Sequence, residues 1–253
     1  MTERTELEAA ALALRCLDLT NLNDDCDEDA IEALAARATT RHGTVAALCV
    51  WPRFARLARA STPADVKIAT VITFPSGEAT DEMAIEEAEA ALRQEADEID
   101  MVIPYRDLME GRDSVVRSRV ERVKRAAGTA PVKAILETGV LESAEMIRRA
   151  SELAVEGGAD FLKTSTGKVP VNATLSAAEI MLDVISKADR PVGFKAAGGV
   201  RTTNEAWAYI EIADRVMGPD WAKPNTFRFG ASGLLDALLA SLEGAAPLEA
   251  EGY

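Results

Sequence analysis

Short apolar segments alternate with amphipathic segments along nearly the whole chain. The apolar segments have the length of strands, and apolar residues recur at helical spacing between them. We predict strands at residues 14–19, 44–50, 67–72, 97–103, 132–136, 159–164, 192–196 and 226–230. We predict helices at residues 5–13, 27–38, 52–60, 80–95, 113–127, 143–156, 174–188, 203–217 and 231–242. Most strands are apolar on both faces, as in a parallel sheet that helices cover.

This alternation favours a closed barrel. Eight strand–helix units in 253 residues fit a (β/α)8 barrel, or TIM barrel, better than an open doubly wound sheet. No linker or break in composition indicates a second domain. We therefore expect one domain over residues 1–253, with a flexible acidic tail at about 243–253. In such a barrel the functional groups lie at the carboxyl ends of the strands.

Two of the predicted strands end in the same unusual way. Residues 159–168 read Ala-Asp-Phe-Leu-Lys-Thr-Ser-Thr-Gly-Lys, and residues 192–199 read Val-Gly-Phe-Lys-Ala-Ala-Gly-Gly. Each strand carries a lysine near its end, Lys163 or Lys195, and glycine follows. A lysine in an apolar strand is costly to bury, so it needs a partner or a function.

Lys163 has two interpretations. It could form a buried ion pair, with Asp100 or Glu137 as its partner. Alternatively, it could be a nucleophilic amine that forms a Schiff base with a carbonyl substrate. Such an amine must be neutral, whereas a free lysine has a pKa of about 10.4. Burial and a nearby cation, such as Lys195, would lower that pKa, and the sequence does not say which lysine is the nucleophile.

Asp100 also has two interpretations, as an ion-pair partner of a lysine or as a member of a proton relay. A carboxylate inside an apolar strand is expensive to bury, which favours the functional role. Asp18 is a weaker candidate of the same kind, because Thr20 and Asn21 indicate a polar strand end.

Glycine-rich turns follow the last two strands, at Gly198-Gly199 and at residues 230–233, Gly-Ala-Ser-Gly. Backbone N–H groups and helix N-termini at such turns favour an anion, and barrels commonly bind phosphate there. Lys168 could add a counter-charge. Alternatively, these glycines are simply tight turns.

Composition narrows the function classes. The formal net charge of −14 argues against a nucleic-acid partner. The amino-terminal segment is too charged for a signal peptide, and no apolar run indicates a membrane span. The cysteines are Cys16, Cys26 and Cys49, without paired spacing, so we expect reduced thiols in a cytoplasmic protein.

His42 is the single histidine of the sequence. A zinc site built on several histidines is therefore excluded. His42 lies in a polar stretch before a strand, and a surface loop is a better interpretation than a catalytic role. Gly167-Lys168 is followed by Val169, so it does not complete a P-loop.

Seven stretches, in order along the chain, carry a resemblance to a known family: residues 17–24, 70–75, 98–106, 133–139, 160–168, 193–201 and 228–232. With these motifs the chain resembles the deoxyribose-phosphate aldolases, class I aldolases of deoxynucleoside catabolism. The resemblance implies a (β/α)8 barrel and reversible cleavage of 2-deoxy-D-ribose 5-phosphate to D-glyceraldehyde 3-phosphate and acetaldehyde. It implies a small-molecule substrate, no metal and no organic cofactor, and it leaves a homodimer open.

The resemblance also implies roles for individual residues. Lys163 would be the Schiff-base lysine, Lys195 the lysine that perturbs it, and Asp100 a member of the proton relay. Tyr253, at the carboxyl terminus, would assist proton transfer. The substrate and its phosphate are expected to contact Asp18, Thr20, Cys49, Gly167, Lys168, Gly198, Gly199, Ser232 and Gly233.

Two positions depart from the family pattern. Ala196 stands where proline commonly follows the second lysine, and Gly233 replaces the second of two adjacent serines. The second change removes a hydroxyl donor, so we expect weaker discrimination in favour of phosphorylated substrates. Two alternative functions stay open. One is another Schiff-base lyase or transaldolase of the same barrel class, and the other is a non-catalytic sugar-phosphate binding protein.

Overall fold

Eight parallel strands close into a barrel in the computed structural model of the protein, which describes residues 4–244. Each strand pairs with its neighbours along the chain, and the last strand pairs with the first. The strands are β1 (Leu17–Asn21), β2 (Ala47–Val50), β3 (Lys67–Ile72), β4 (Glu98–Val102), β5 (Val132–Ile135), β6 (Phe161–Lys163), β7 (Gly193–Ala197) and β8 (Phe227–Ala231). The predicted (β/α)8 architecture is confirmed.

Helices connect the strands and cover the outside of the barrel. They are α1 (Glu6–Arg15), α2 (Glu28–Ala36), α3 (Ala55–Ser61), α4 (Asp81–Arg93), α5 (Tyr105–Met109), α6 (Asp113–Ala127), α7 (Thr138–Leu141), α8 (Ala144–Glu156), α9 (Leu175–Ser186), α10 (Thr203–Met217) and α11 (Leu234–Leu242), and a 3-10 turn spans Pro52–Phe54. Within residues 4–244 no helix is long and apolar enough to cross a membrane.

Side-chain caps fix where many of these helices begin. In six of them an oxygen of the N-cap side chain accepts a hydrogen bond from the backbone N–H three residues further on. Each such cap stabilises a helix by about 1 kcal/mol. The capping residues are Thr5, Asp27, Thr80, Ser143, Thr174 and Thr202.

Two predicted strands were misplaced. The first was expected at 14–19, but α1 continues through Arg15, with Leu14 buried on its inner face, and Thr20 and Asn21 belong to β1. The second was expected at 44–50. Thr44 instead pairs with Thr39 in a short antiparallel hairpin whose turn is Arg41–His42, and Gly43 follows that turn with a φ of 125°.

The hairpin places His42 in its turn, where the imidazole contacts Arg41 and lies 3.9 Å from Glu243. His42 is therefore part of a surface loop, as expected. The acidic tail extends past Gly244, so nearly all of it and Tyr253 lie outside the described residues.

The barrel interior has two different sides. One side, formed by β2, β3 and the segment directly after β1, is apolar and is lined by Leu22, Ala47, Cys49, Ala69 and Val71. The opposite side, formed by β4 to β8 together with Asp18 of β1, carries buried charges. The outward faces of the strands pack with the helices into a larger apolar core. The charged side is where the interior departs from ordinary barrel packing, in which branched apolar residues dominate.

Candidate active site

Strand register brings the buried charges together. Lys163 lies beside Lys195 on neighbouring strands, and Asp100 lies beside Lys133. Residues two apart in a strand point to the same face, so Glu98 and Asp100 both enter the barrel. All five side chains are buried.

Asp100 is the centre of this arrangement. Its Oδ2 accepts hydrogen bonds from Nζ of Lys163 at 2.7 Å and from Nζ of Lys195 at 2.8 Å, and its Oδ1 accepts one from Lys133 at 2.6 Å. Because the first two nitrogens bond to one oxygen, they are at most 5.5 Å apart, the two distances laid end to end. The predicted second cation next to Lys163 is therefore in place.

A second group of charges lies nearer the amino ends of the strands. Arg228 donates to Asp18 Oδ1 at 2.6 Å and to Glu98 Oε1 at 2.8 Å. Lys133 lies 2.7 Å from Glu98 Oε2, and Lys195 donates to Asp18 Oδ2. The two groups form one network, here called the ion cluster: Asp18, Glu98, Asp100, Lys133, Lys163, Lys195 and Arg228.

Charge balance in the ion cluster favours one neutral lysine. Four cations and three carboxylates carry one excess positive charge when all are ionised. Uncompensated charge in a buried site is energetically costly, so the lysine that contacts the fewest carboxylates loses its proton first. Lys163 contacts one carboxylate, whereas Lys195 contacts two and Lys133 contacts three.

The pKa directions agree with this ranking. Burial lowers the pKa of Lys163, and the positive charge of Lys195 lowers it further, against the opposing pull of Asp100. Burial would also lower the pKa of Lys195, but Asp100 and Asp18 outweigh it and raise that pKa. Burial likewise opposes ionisation of Asp100, yet its three lysines hold the pKa of that carboxyl well below the usual range. The electrostatics therefore favour Lys163 as the neutral amine.

Of the two candidate partners of Lys163, Asp100 and Glu137, one contacts the lysine and the other is bonded elsewhere. Asp100 is the hydrogen-bonded partner. Glu137 instead accepts hydrogen bonds from the backbone N–H and the hydroxyl of Thr166. The two interpretations of Lys163 are therefore compatible. Asp100 holds its nitrogen by a hydrogen bond, while burial and Lys195 disfavour its charged form.

Three predicted substrate contacts lie on β1 and β2. Both oxygens of Asp18 are bonded to cations, so it supports Lys195 from inside the barrel. The Thr20 hydroxyl donates to the carbonyl of Asp18 at 2.8 Å. The thiol of Cys49 lies 4.0 Å from Asp100 Oδ2, and burial raises its pKa, so it is a neutral thiol next to the ion cluster. Direct substrate contacts of these three residues stay predictions.

The predicted phosphate contacts lie in the loops after β6, β7 and β8, which are adjacent strands. The ammonium of Lys168 lies 3.5 Å from Asp24. Gly198 and Gly199 have φ of 82° and 90°, a region that favours glycine and turns the chain directly after β7. Gly167 and Ser232 are exposed, and Gly233 immediately precedes α11. Their phosphate role stays a prediction.

Sequence reasoning left three members of the ion cluster without a role, namely Glu98, Lys133 and Arg228. The sequence did contain a signal for them, since Glu98-Ile-Asp100 places two acidic residues on one face of a strand, where they need cations.

Within residues 4–244 no group of three or more histidine, cysteine, aspartate or glutamate residues is placed to hold a metal ion.

Comparison with known proteins agrees with this geometry. A curated deoxyribose-phosphate aldolase from Agrobacterium fabrum is 52% identical over 251 residues, which cover 97% of this chain and 96% of that protein. The apo form of a Toxoplasma gondii protein assigned as a deoxyribose-phosphate aldolase is 27% identical, with a TM-score of 0.87 over 94% of this chain and 98% of that one. A Coccidioides immitis protein with the same assignment is also 27% identical, with a TM-score of 0.82 over 95% and 91% of the two chains.

The family model of the DeoC/LacD family aldolases matches residues 12–237, which include all eight strands of the barrel. The chain therefore belongs to the DeoC/LacD family of aldolases.

Proposed function

We propose that this aldolase cleaves 2-deoxy-D-ribose 5-phosphate reversibly to D-glyceraldehyde 3-phosphate and acetaldehyde through a Schiff base on Lys163. The observation that carries the proposal is the buried Lys163 amine, whose charge is disfavoured by burial and by Lys195. The similar Agrobacterium fabrum protein bears the name of this activity.

The first step uses the neutral amine. Lys163 attacks the aldehyde carbon C1 of the open-chain sugar, and loss of water gives the imine. Charged Lys195, held by two carboxylates, supplies a fixed positive charge and a proton donor where the carbonyl oxygen becomes a hydroxyl group and leaves as water. One proton of that water comes from the attacking amine and the other from Lys195, so the imine is positively charged and Lys195 is left neutral, able to accept the next proton.

Carbon–carbon cleavage follows from the charge on the imine. The Asp100/Lys195 pair, acting through water, accepts the proton of the C3 hydroxyl. The electrons of the C2–C3 bond then move into the imine, which becomes an enamine as glyceraldehyde 3-phosphate leaves. Return of a proton to C2 and hydrolysis of the resulting imine release acetaldehyde and restore Lys163. Tyr253 is predicted to assist these proton transfers.

The phosphate of the substrate would lie at the loops after β6 to β8. Lys168 supplies an exposed positive charge there, and the start of α11 favours an anion. The sugar would extend from this edge into the barrel, with C1 next to the Lys163 amine.

A sugar-phosphate binding protein without catalysis would need the phosphate loops but no buried amine of lowered pKa. Another Schiff-base lyase of the same barrel class would share the lysine and differ in its donor aldehyde. The ion cluster speaks against the first alternative, and competing donor aldehydes separate the second from the proposal.

The direct test is a cleavage assay with 2-deoxyribose 5-phosphate, in which glyceraldehyde 3-phosphate and acetaldehyde are both quantified. We expect equal amounts of the two products from the wild-type protein and none above background from Lys163→Met. Lys187→Met is the matched control, since Lys187 is an exposed lysine on the protein surface, and it should retain full activity. A folded Lys163→Met variant with wild-type turnover would refute the proposal.

The family membership makes a small molecule the expected binding partner. We further propose a cytoplasmic location, supported by the free, buried cysteines, and we keep the homodimer as a prediction. Size-exclusion chromatography with light scattering gives the oligomeric state directly.

A further inference from the structure

A turn outside the ion cluster holds the segment that follows the Schiff-base lysine. Residues 137–139 pack against residues 164–171, here called the lysine loop. At one end, the backbone N–H of Thr138 donates a hydrogen bond to the carbonyl of Thr164 at 3.0 Å. At the other end, a β-carbon added to Gly139 would lie 1.8 Å from the carbonyl oxygen of Val171. The turn therefore touches both ends of the lysine loop at close range.

Glu137 makes the central contact between the two segments. Its buried carboxylate accepts hydrogen bonds from the hydroxyl of Thr166 at 2.6 Å and from the backbone N–H of Thr166 at 3.2 Å. The same hydroxyl oxygen accepts a hydrogen bond from the backbone N–H of Lys168 at 3.0 Å. A continuous chain of hydrogen bonds thus runs from Glu137 through Thr166 to Lys168.

The backbone of Glu137 has a conformation that is uncommon for a glutamate. Its φ is 59° and its ψ is 55°, a left-handed conformation in which glycine would be less strained. Burial raises the pKa of the carboxyl, and the two hydrogen bonds from Thr166 oppose that rise. A strained, buried acid that contacts the lysine loop indicates a positioning role.

Lys168 has little else to fix it. Its ammonium lies 3.5 Å from the exposed Asp24, and a surface ion pair of this kind holds a side chain weakly. We propose that Glu137 is a positioning residue that sets the affinity for the substrate's phosphate, because it fixes Lys168 through Thr166. This inference rests on the proposed function in one respect, that Lys168 contacts the phosphate.

The test compares two substrates in three variants. KM and kcat are measured for 2-deoxyribose 5-phosphate and for unphosphorylated 2-deoxyribose, and inorganic phosphate is titrated as a competitive inhibitor. Glu137→Ala removes the carboxylate, and Glu137→Gly removes it while relieving the left-handed backbone. Glu137→Gln keeps the shape and can still hold Thr166, so it is the conservative control.

In the alanine and glycine variants we expect KM for the phosphorylated substrate and the inhibition constant of phosphate to rise about tenfold, the loss typical of one hydrogen bond to a charged group. KM for 2-deoxyribose should stay within about twofold, and Glu137→Gln should restore phosphate binding to within about threefold.

The outcomes separate the inference from the proposed function. Equal changes for both substrates, or unchanged phosphate inhibition in the alanine and glycine variants, would overturn the positioning role, since a general structural defect does not distinguish the substrates. A wild-type protein that binds phosphate but cleaves neither substrate would refute the proposed function, and its phosphate titration would still decide the role of Glu137. Absence of phosphate binding in the wild type would overturn the positioning role as well.

Discussion

Replacing Lys195 with methionine tests the electrostatics of the ion cluster most sharply. The substitution keeps the length of the side chain and removes one positive charge, which lies at most 5.5 Å from the Lys163 nitrogen. At that distance and an effective dielectric constant of about 20, the lost repulsion is about 3 kcal/mol. Without it, three carboxylates face three cations, and the cluster is neutral when Lys163 is charged.

A change of about 3 kcal/mol lowers the fraction of neutral Lys163 roughly a hundredfold wherever the amine is mostly protonated. The pKa of Lys163 is lowered in the wild-type cluster, so removal of Lys195 moves it upward. We therefore expect imine formation to fall near neutral pH, by up to about a hundredfold. The deficit should shrink as pH rises, by up to about tenfold per pH unit until the amine is neutral in both proteins.

The assay is a pH series of kcat/KM, together with the rate of borohydride-trapped adduct formation, which reports on the imine step alone. Thermal melting at each pH confirms that the variant is folded, because loss of a buried ion-pair partner is itself destabilising. A folded Lys195→Met variant whose deficit is the same at every pH would refute the electrostatic argument. In that case Lys195 would act only in later proton transfers.

The remaining predictions concern specificity and stability. In the wild type, kcat/KM for 2-deoxyribose 5-phosphate and for 2-deoxyribose should differ by no more than about tenfold. Gly233→Ser adds a hydroxyl donor, and its β-carbon meets no atom within 4 Å, so it should raise the preference for phosphate about tenfold further. A much larger wild-type preference would contradict this. Arg228→Met removes the cation that Asp18 and Glu98 share, so it should lower the free energy of unfolding, measured in urea, by about 3–5 kcal/mol. A loss below about 1 kcal/mol would contradict the structural role given to the ion cluster. Gly193→Ala places a methyl group 2.3 Å from the ring of Phe161 and should cost about 1–3 kcal/mol by thermal melting. A variant as stable as the wild type would show that the ring shifts without cost.

Much of the fold was predictable because each barrel strand is short, apolar and bounded by polar or glycine residues. The limits of individual strands were less predictable. Thr44 is a strand residue, but it pairs with Thr39 in a hairpin turned by Arg41–His42, which apolar patterning does not reveal. Leu14 is a buried residue of α1. In a short apolar run, the sequence pattern of a buried helix end and that of a buried strand are the same, so the pattern did not separate them.

Residue types indicated the central lysines and Asp100, since charged groups in apolar strands need an explanation. Which lysine loses its proton first could be decided only from the structure, because it depends on how many carboxylates contact each ammonium group. Glu98 and Arg228 meet across the barrel although they are 130 residues apart in the chain, and no local pattern encodes that contact. The left-handed backbone of Glu137 was equally hidden, since glutamate rarely adopts it.

Borohydride trapping with acetaldehyde, followed by peptide mass analysis, tests the central claim most directly. The neutral, weakly supported amine is Lys163, so the reduced two-carbon adduct should be found on the peptide that contains Lys163. An adduct on Lys195 would reverse the roles of the two lysines and contradict the charge-balance argument. A folded protein that yields no adduct at all would contradict the Schiff-base mechanism and favour the sugar-phosphate binding protein.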